Sequence, residues 1–523
     1  MRKIGCILLA LLMCASVLTG CGNSEYSVAS GPSSNTPNTS SDSASSTASG
    51  EAAAEPEKIV FAFFTNIDTP PDMGIVEEAI NKLTVEKINV EVELLPISLG
   101  TYEQQINLMI SGNEKLDLFT LLGSSFASTL NQKKIVPIDA DLMNEDYVQE
   151  IFDVLGETYM SSVNVSGEIY GIPVLKDMAS NRGINYDHAI AEEAGFDLEY
   201  LTSGTPEDLI PLFEAVQAVH PDMTMTSSQD SGQTVMDSIF CNYDLMFDRF
   251  GVLLNYGQDD LNLVNLYESD WYADTLKTIR QWYLDGYILK DNSINPDVGI
   301  TLFKSGKQFS YGGDMHIATY NVVSNMTGKD VANYTTTKPF SSNASIIGVL
   351  NLIPATCENQ EPVLKFLNLL YTDPDLINLF DWGIEGLHYE RVEGSENRIR
   401  YPEGVDANNT GYGLELGWEF GNQMLSYVWE TNPDDYYEHL KEFNESALMS
   451  KAIGFVFDTS SVSTEIAALN NVLNEYRFGL ENGEMDPDIY LPIFQQALRD
   501  AGIEKVIAEK QAQLDAWAAA NGK

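Results

Sequence analysis

Lys58-Ile59-Val60-Phe61-Ala62-Phe63-Phe64, Asn89-Val90-Glu91-Val92-Glu93-Leu94-Leu95 and Leu116-Asp117-Leu118-Phe119-Thr120-Leu121-Leu122 are the three stretches whose reading decides the fold. The first is an apolar run too short for a helix, the second alternates polar and apolar residues, and the third has the apolar density of a buried strand. Between the first two, a polar loop over Thr65–Pro71 leads into a helix from about Asp72; between the last two, Tyr102–Ser111 carries helical periodicity. Strands alternating with helices at this spacing predict βαβ units and an open parallel sheet, hence an α/β protein. Ligands of such sheets sit beyond the carboxyl ends of the strands. That edge holds Asn66 and Asp68 after the first strand, and Ser124 and Ser125 after the third.

Farther along, Gly167–Val174 and Gly183–Tyr186 read as short extended segments, the second followed by a helix ending at Gly195. Helical stretches are expected over 206–219 and 264–285, and Phe303–Phe309 precedes a turn at Gly312-Gly313. A strand over Ile346–Pro354 opens a new unit, and Pro362–Phe380 reads as an amphipathic helix broken at Asp373-Pro374. The last hundred residues are largely helical in pattern, and there is no internal repeat.

The chain has 523 residues, with 29 Lys+Arg against 77 Asp+Glu and a formal net charge of −48. Its length suggests two to four core units, and 44% hydrophobic residues exclude a mostly disordered chain. The charge repels phosphate backbones, so a nucleic-acid partner is not expected, and it disfavours electrostatic binding to anionic lipid. The amino terminus supplies another attachment. Arg2 and Lys3 precede an uncharged apolar run, Ile4–Leu18, which is shorter than the ~20 residues of a membrane span and reads as a secretory signal. Its ending, Leu18-Thr19-Gly20-Cys21, resembles the bacterial lipobox. That resemblance implies a lipidated Cys21 as mature amino terminus and an anchor on the outer face of the cell membrane. Residues 22–57, dominated by Ser, Thr, Ala, Gly and Pro, read as a tether, since they bury too little apolar surface to offset their ordering entropy. Cys6 and Cys14 leave with the signal; Cys241 and Cys357 read as two partly buried thiols, with pairing left open.

The devices of catalysis are missing. There is no His-Glu-x-x-His, Cys-x-x-Cys, Gly-x-Ser-x-Gly or P-loop, and the five histidines (His188, His220, His316, His388 and His439) are scattered. Asp139-Ala140-Asp141 is too short for a calcium loop, and among 77 acids a glycosidase-like carboxylate pair carries no signal. The expectation is a non-enzyme with neither metal nor cofactor. A binding cleft asks only for polar groups and flat apolar faces, which 25 Tyr, 22 Phe and 6 Trp permit.

The order of lipobox, Ser-rich tether and strand, then GEIYGIPV (167–174) and GINYDHAIAEEAGF (183–196), resembles the extracellular solute-binding lipoproteins of bacterial ABC importers, family 1-like and carbohydrate-type. Ile353–Leu367 is similar to that family's return helix. Tyr371-Thr372-Asp373-Pro374, with Gly383–Tyr389, looks like a larger subgroup from Gram-positive bacteria. The resemblance implies a two-lobed periplasmic-binding-protein-like α/β fold with a hinge and a helical carboxyl-terminal extension. Lobe 1 would take 58–178 and 346–400, and lobe 2 would take 179–345 and 401–523. It further implies a monomer that binds a small carbohydrate, an oligosaccharide, for ABC permease subunits. A peptide ligand and a surface-anchored glycoside hydrolase are the alternatives. The loop ends carry few of the aromatics common in the maltose-binding branch, which leaves the ligand open. On this frame the candidate ligand contacts are Asn66, Asp68 and Ser124 from lobe 1, Asp177 and Arg182 at the hinge, Asp314 and His316 after the glycine pair, and Trp382 and Glu385 near the second return. Tyr243 and Phe247 are weaker candidates, and Trp282 and Trp517 are expected in the core.

Overall fold

The computed structural model describes residues 55–65, 69–315 and 319–523. The signal, Cys21 and the tether lie outside the described residues, as do the candidates Asn66, Asp68 and His316. In chain order the sheet-forming strands are β1 (Glu57–Thr65), β2 (Val90–Ser98), β3 (Leu118–Leu122), β4 (Ile172–Pro173), β5 (Asn181–Asp187), β6 (Leu201–Ser203), β7 (Ser310–Met315), β8 (Val331–Thr335) and β9 (Val349–Leu352). They form two sheets, ordered β2-β1-β3-β9-β4 and β6-β8-β5-β7.

β1 is buried from Ile59 through Thr65, which is why its sequence is a continuous apolar run and not an alternation. It pairs in parallel with β2, from Glu57 opposite Val90 to Thr65 opposite Ser98, and with β3 on its other side. The crossover helices, Met73–Ile88 and Leu99–Gly112, both end on asparagines in the left-handed region, Asn89 at φ 55 and Asn113 at φ 52. The sheet is not wholly parallel as expected: β9 runs antiparallel to both β3 and β4. The chain has by then visited the second lobe and re-enters from the opposite direction.

Three local expectations are refined. The strand expected from Ile346 is preceded by a helical turn, Asn343–Ile346, because the Ser342 hydroxyl accepts from the Ser345 amide at 3.3 Å and caps it; the strand is confined to Val349–Leu352. Gly312 and Gly313 form no turn. They lie within β7, where a Cβ on Gly312 would stand 2.7 Å from Ile239 and one on Gly313 would stand 2.9 Å from Gln229 Oε1. The helix over 362–380 is broken at Asp373, as its proline implied: Asp373 Oδ1 accepts from the amides of Asp375 and Leu376, at 3.0 and 3.3 Å, and restarts the helix at Pro374.

The two lobes have separate cores. One gathers Phe61, Phe119, Ile151, Leu350, Phe366 and Phe420; the other gathers Tyr186, Phe213, Trp282, Phe309, Leu469 and Phe494. Leu414, Leu416 and Phe420 pack in the first core, whereas Phe455 through Leu514 pack in the second. The stretch after 400 thus contributes to both cores. Nor is that stretch helical at its start. Between Tyr401 and Tyr436, glycines and two prolines (Pro402, Gly404, Gly411, Gly413, Gly417, Gly421 and Pro433) interrupt any periodicity, and helices resume at Tyr436–Ser446, Ser463–Glu481, Pro487–Asp500 and Ile503–Ala520. Three segments cross side by side between the lobes: Ser180 and Phe340 exchange backbone hydrogen bonds of 3.0 and 2.9 Å, and Ser450 N donates to Ser341 O at 2.9 Å. Cys241 and Cys357 are free thiols packed against different cores. No helix among the described residues is long and apolar enough to cross a membrane.

Candidate ligand-binding site

The helix Pro374–Asp381 ends on two residues that build a cavity wall. Trp382 donates its indole N–H to Ser426 Oγ at 3.0 Å and to Tyr427 O at 3.2 Å, which fixes the ring. Ser426 Oγ in turn donates to Asp381, whose Oδ1 also accepts from the Gly417 amide at 2.9 Å. Glycine is required there, since a Cβ on Gly417 would sit 2.6 Å from Asp381 Oδ2. On this locked base Trp429 stacks against Trp382 with centroids 5.7 Å apart and planes 28° apart, and Tyr401 meets Trp429 edge-on at 4.4 Å. Tyr436 and Tyr437, in mutual edge contact at 5.0 Å, supply a further side. From the second lobe, helix Thr319–Thr327 contributes Val322, Asn325 and Met326, and Asn325 Nδ2 donates across the gap to Thr431 Oγ1 at 2.7 Å. The enclosed space is about 420 Å³. It is smaller than a cavity of about 750 Å³ lined by Phe152, Met449, Trp517 and Lys523, but aromatic faces and polar groups converge on it from both lobes.

Its electrostatics are set by burial. Burial raises the Asp381 carboxyl to about 7, against the hydrogen bonds from Ser426 and Gly417 that pull it down. Burial, with the nearby Asp177 charge, pushes the Tyr436 phenol up to about 12, and burial holds Tyr437 well above the ordinary tyrosine value. Both hydroxyls thus stay protonated and able to donate. Asn432 Oδ1 is buried in the lining with no hydrogen-bond partner.

Comparison with known proteins agrees in architecture. Residues 451–519 match the family model described as a domain of unknown function, DUF3502. A carbohydrate ABC transporter substrate-binding protein of Streptococcus pneumoniae serotype 4 is 27% identical over 472 residues, spanning 89% of this chain and 92% of the relative. The crystal structure of the N-glycan transport solute-binding protein NgtS from S. pneumoniae superposes with a TM-score of 0.74 at 24% identity, over 88% of this chain and 98% of that one. The S. pneumoniae substrate-binding protein FusA, in complex with kestose, gives 0.57 at 18% identity, over 88% and 100%. The chain shares the fold of these solute-binding proteins.

Within this fold the candidate residues disperse. Among the described candidates, Trp382 alone lines the aromatic cavity. Asp177 is paired with Lys176 at 2.6 Å and lies near enough to Tyr436 for its charge to be felt there. Arg182 and Asp314 stand opposite each other in the β5–β7 register and form an ion pair, so each carboxylate or guanidinium offered to a ligand is already engaged. Ser124 is exposed on the turn after β3, and Ser125 bonds Glu103. Glu385 is exposed beside Arg391 at 3.8 Å, outside the lining. Tyr243 is buried in the second core, as is Trp282; Phe247 is exposed, and Trp517 packs at the margin of that core. The described histidines have structural partners: His188 meets Leu198 O at 3.0 Å, His220 meets Glu193 at 3.2 Å, His388 meets Asp72 at 3.2 Å, and His439 meets Asp435 at 3.7 Å. No cluster of three or more potential metal ligands occurs among the described residues.

Sequence reasoning missed Tyr401, Tyr427, Trp429, Tyr436 and Tyr437. A signal was present. Tyr427-Val428-Trp429 and Tyr436-Tyr437 fall in or beside a glycine-rich stretch without helical period, where aromatics are not needed to fill a helix face.

Proposed function

We propose that this solute-binding protein captures an oligosaccharide in the interlobe aromatic cavity and presents it to the permease subunits of an ABC importer, held to the outer face of the membrane by a lipid on Cys21. The observation that carries this reading is the preorganised Trp382–Trp429 platform facing hydroxyl and amide groups, which suits sugar rings with their apolar faces and hydroxyl rims. The solved relatives support it: NgtS was crystallised with Man1GlcNAc and with Man5GlcNAc, and FusA with kestose. In our reading the lobes are 55–178 with 346–449, and 179–345 with 450–523, and they close as a hinge about the three crossing segments. Closure is driven only by contacts stronger in the closed form, which here means Asn325 and Met326 against the aromatic wall. A ligand longer than the cavity would extend past Tyr436 toward Asp177.

The test is a thermal-shift titration with neutral oligosaccharides of two to five residues, repeated on Trp429→Ala. Ligand at a 100-fold excess over Kd adds ~2.7 kcal/mol of stability. Removing Trp429 takes away one ring face, roughly 50–80 Å², hence about 1.3–2 kcal/mol or about 10–30-fold in Kd. Absence of any shift across the panel, or sustained hydrolysis of an oligosaccharide, refutes the proposal.

A further inference from the structure

We infer that the cavity takes uncharged, hydroxyl-rich glycans and turns away those carrying carboxylates, such as uronates or sialic acids. The inference rests on the proposed function and narrows its ligand. Two acids, Asp381 and Glu415, line the cavity, and among the described residues no Lys, Arg or His does. The cations nearby are engaged elsewhere. Arg391 lies over the far side of the wall with its guanidinium 3.5 Å from the Tyr427 ring centroid, donates to Glu396 O at 2.6 Å and faces Glu385. Lys176 is paired with Asp177, and Arg182 with Asp314. A carboxylate entering this space would therefore meet the Glu415 carboxylate and an Asp381 that is partly ionised near pH 7, with no counter-ion among the described lining residues, inside a chain whose net charge of −48 already repels anions.

Hydrogen-bond polarity points the same way. The indole N–H of Trp382 is spent on Ser426 and Tyr427, and the Asn325 amide on Thr431, so the wall keeps the neutral hydroxyls of Tyr436 and Tyr437 as donors for a ligand. What remains open includes acceptors: the buried Asn432 Oδ1, which has no partner, and the Glu415 carboxylate at the edge. These acceptors need donors from the ligand. A sugar hydroxyl donates and accepts; a carboxylate only accepts, and would leave Asn432 Oδ1 unsatisfied while adding an unpaired charge.

The experiment uses a matched pair of probe pools with the full chain. One is a neutral pool of two- to five-residue oligosaccharides from hydrolysed plant, fungal and mucin glycans; the other is the same pool with primary hydroxyls oxidised to carboxylates. Equilibrium dialysis read by mass spectrometry gives the retention of each neutral oligomer and its oxidised partner, for the parent and for Asp381→Asn/Glu415→Gln. The expected result is at least tenfold weaker retention of oxidised oligomers by the parent, with the gap narrowing in the double variant and in 1 M salt, where the screening length falls to ~3 Å. Narrowing separates charge repulsion from simple loss of a needed hydroxyl. Equal retention of both pools overturns the inference while the proposed function stands. A gap unchanged by the variant and by salt also overturns it. Retention of neither pool overturns the proposed function, and the inference falls with it.

Discussion

Replacing Asp381 by Asn should flatten part of the pH dependence of stability. The carboxyl is buried, accepts from Gly417 N and Ser426, and titrates near 7 in the folded protein against an ordinary 3.8. Because the folded value is raised, the folded state binds the proton more tightly than the unfolded one. Asp381 therefore contributes most below pH ~4, and that contribution is lost as pH rises through about 7. A shift of about 3 units at about 1.4 kcal/mol each makes the loss about 4 kcal/mol between pH ~4 and ~8. Asparagine has nearly the same shape, can accept from Gly417, and cannot ionise. The variant should match the parent near pH 4 and exceed it by up to about 4 kcal/mol near pH 8. Denaturant titrations at half-unit pH steps measure the difference, in which the other titrating groups, such as buried Glu419 and Glu481, cancel. Parallel curves for parent and variant from pH 5 to 8 would refute both the buried geometry of Asp381 and its role in locking Trp382 through Ser426.

Lys510→Met should cost about 3–5 kcal/mol in a denaturant titration, because the fully buried ammonium that bonds Asp248, Met246 O and Gly251 O holds a loop in which Met246, Phe247 and Arg249 all sit at positive φ; a cost under 1 kcal/mol would mean the ammonium is replaceable. Gly123→Ala should destabilise by about 1–3 kcal/mol, since its Cβ would lie 1.9 Å from Ile347 O, whereas Gly74→Ala, in open space within a helix, should stabilise by about 0.5–1 kcal/mol; melting temperatures moving the same way would contradict the packing at the β3–β9 edge.

The parts of the fold legible from sequence are those governed by short-range rules. The run Ile59–Phe64, the alternation in Asn89–Leu95 and the stop at Asp373-Pro374 each encode their structure within ten residues, through strand burial or a proline and its cap. The two-lobed plan followed from resemblance. Errors arose where tertiary contact overrides local signal. Gly312-Gly313 reads as a turn because glycine is the commonest turn residue, yet both lie in β7 because Ser238, Ile239 and Gln229 leave no room for side chains. In that strand the register sets Asp314 opposite Arg182, with which it pairs.

The aromatic wall was hidden for a related reason. Trp382, Tyr401 and Trp429 are far apart in sequence, and no period links them or Tyr436; Asn378, Ser426 and Gly417 tie two non-periodic segments to one helix end. Tyr427 N donates to Asn378 Oδ1 at 2.7 Å, and Asn378 Nδ2 donates to Leu425 O at 3.0 Å, so the loop that carries Trp429 is clamped to the helix that presents Trp382. The arrangement divides labour. A buried helix end and its polar clamp give the platform a fixed position, while the residues that meet a ligand's rim lie on loops whose sequence is under no periodic constraint. Specificity in such a site can change by substitution at Glu415, Thr431 or Asn432 without touching either core, which is why the ligand is read from the cavity's charge and hydrogen-bond polarity and not from the fold.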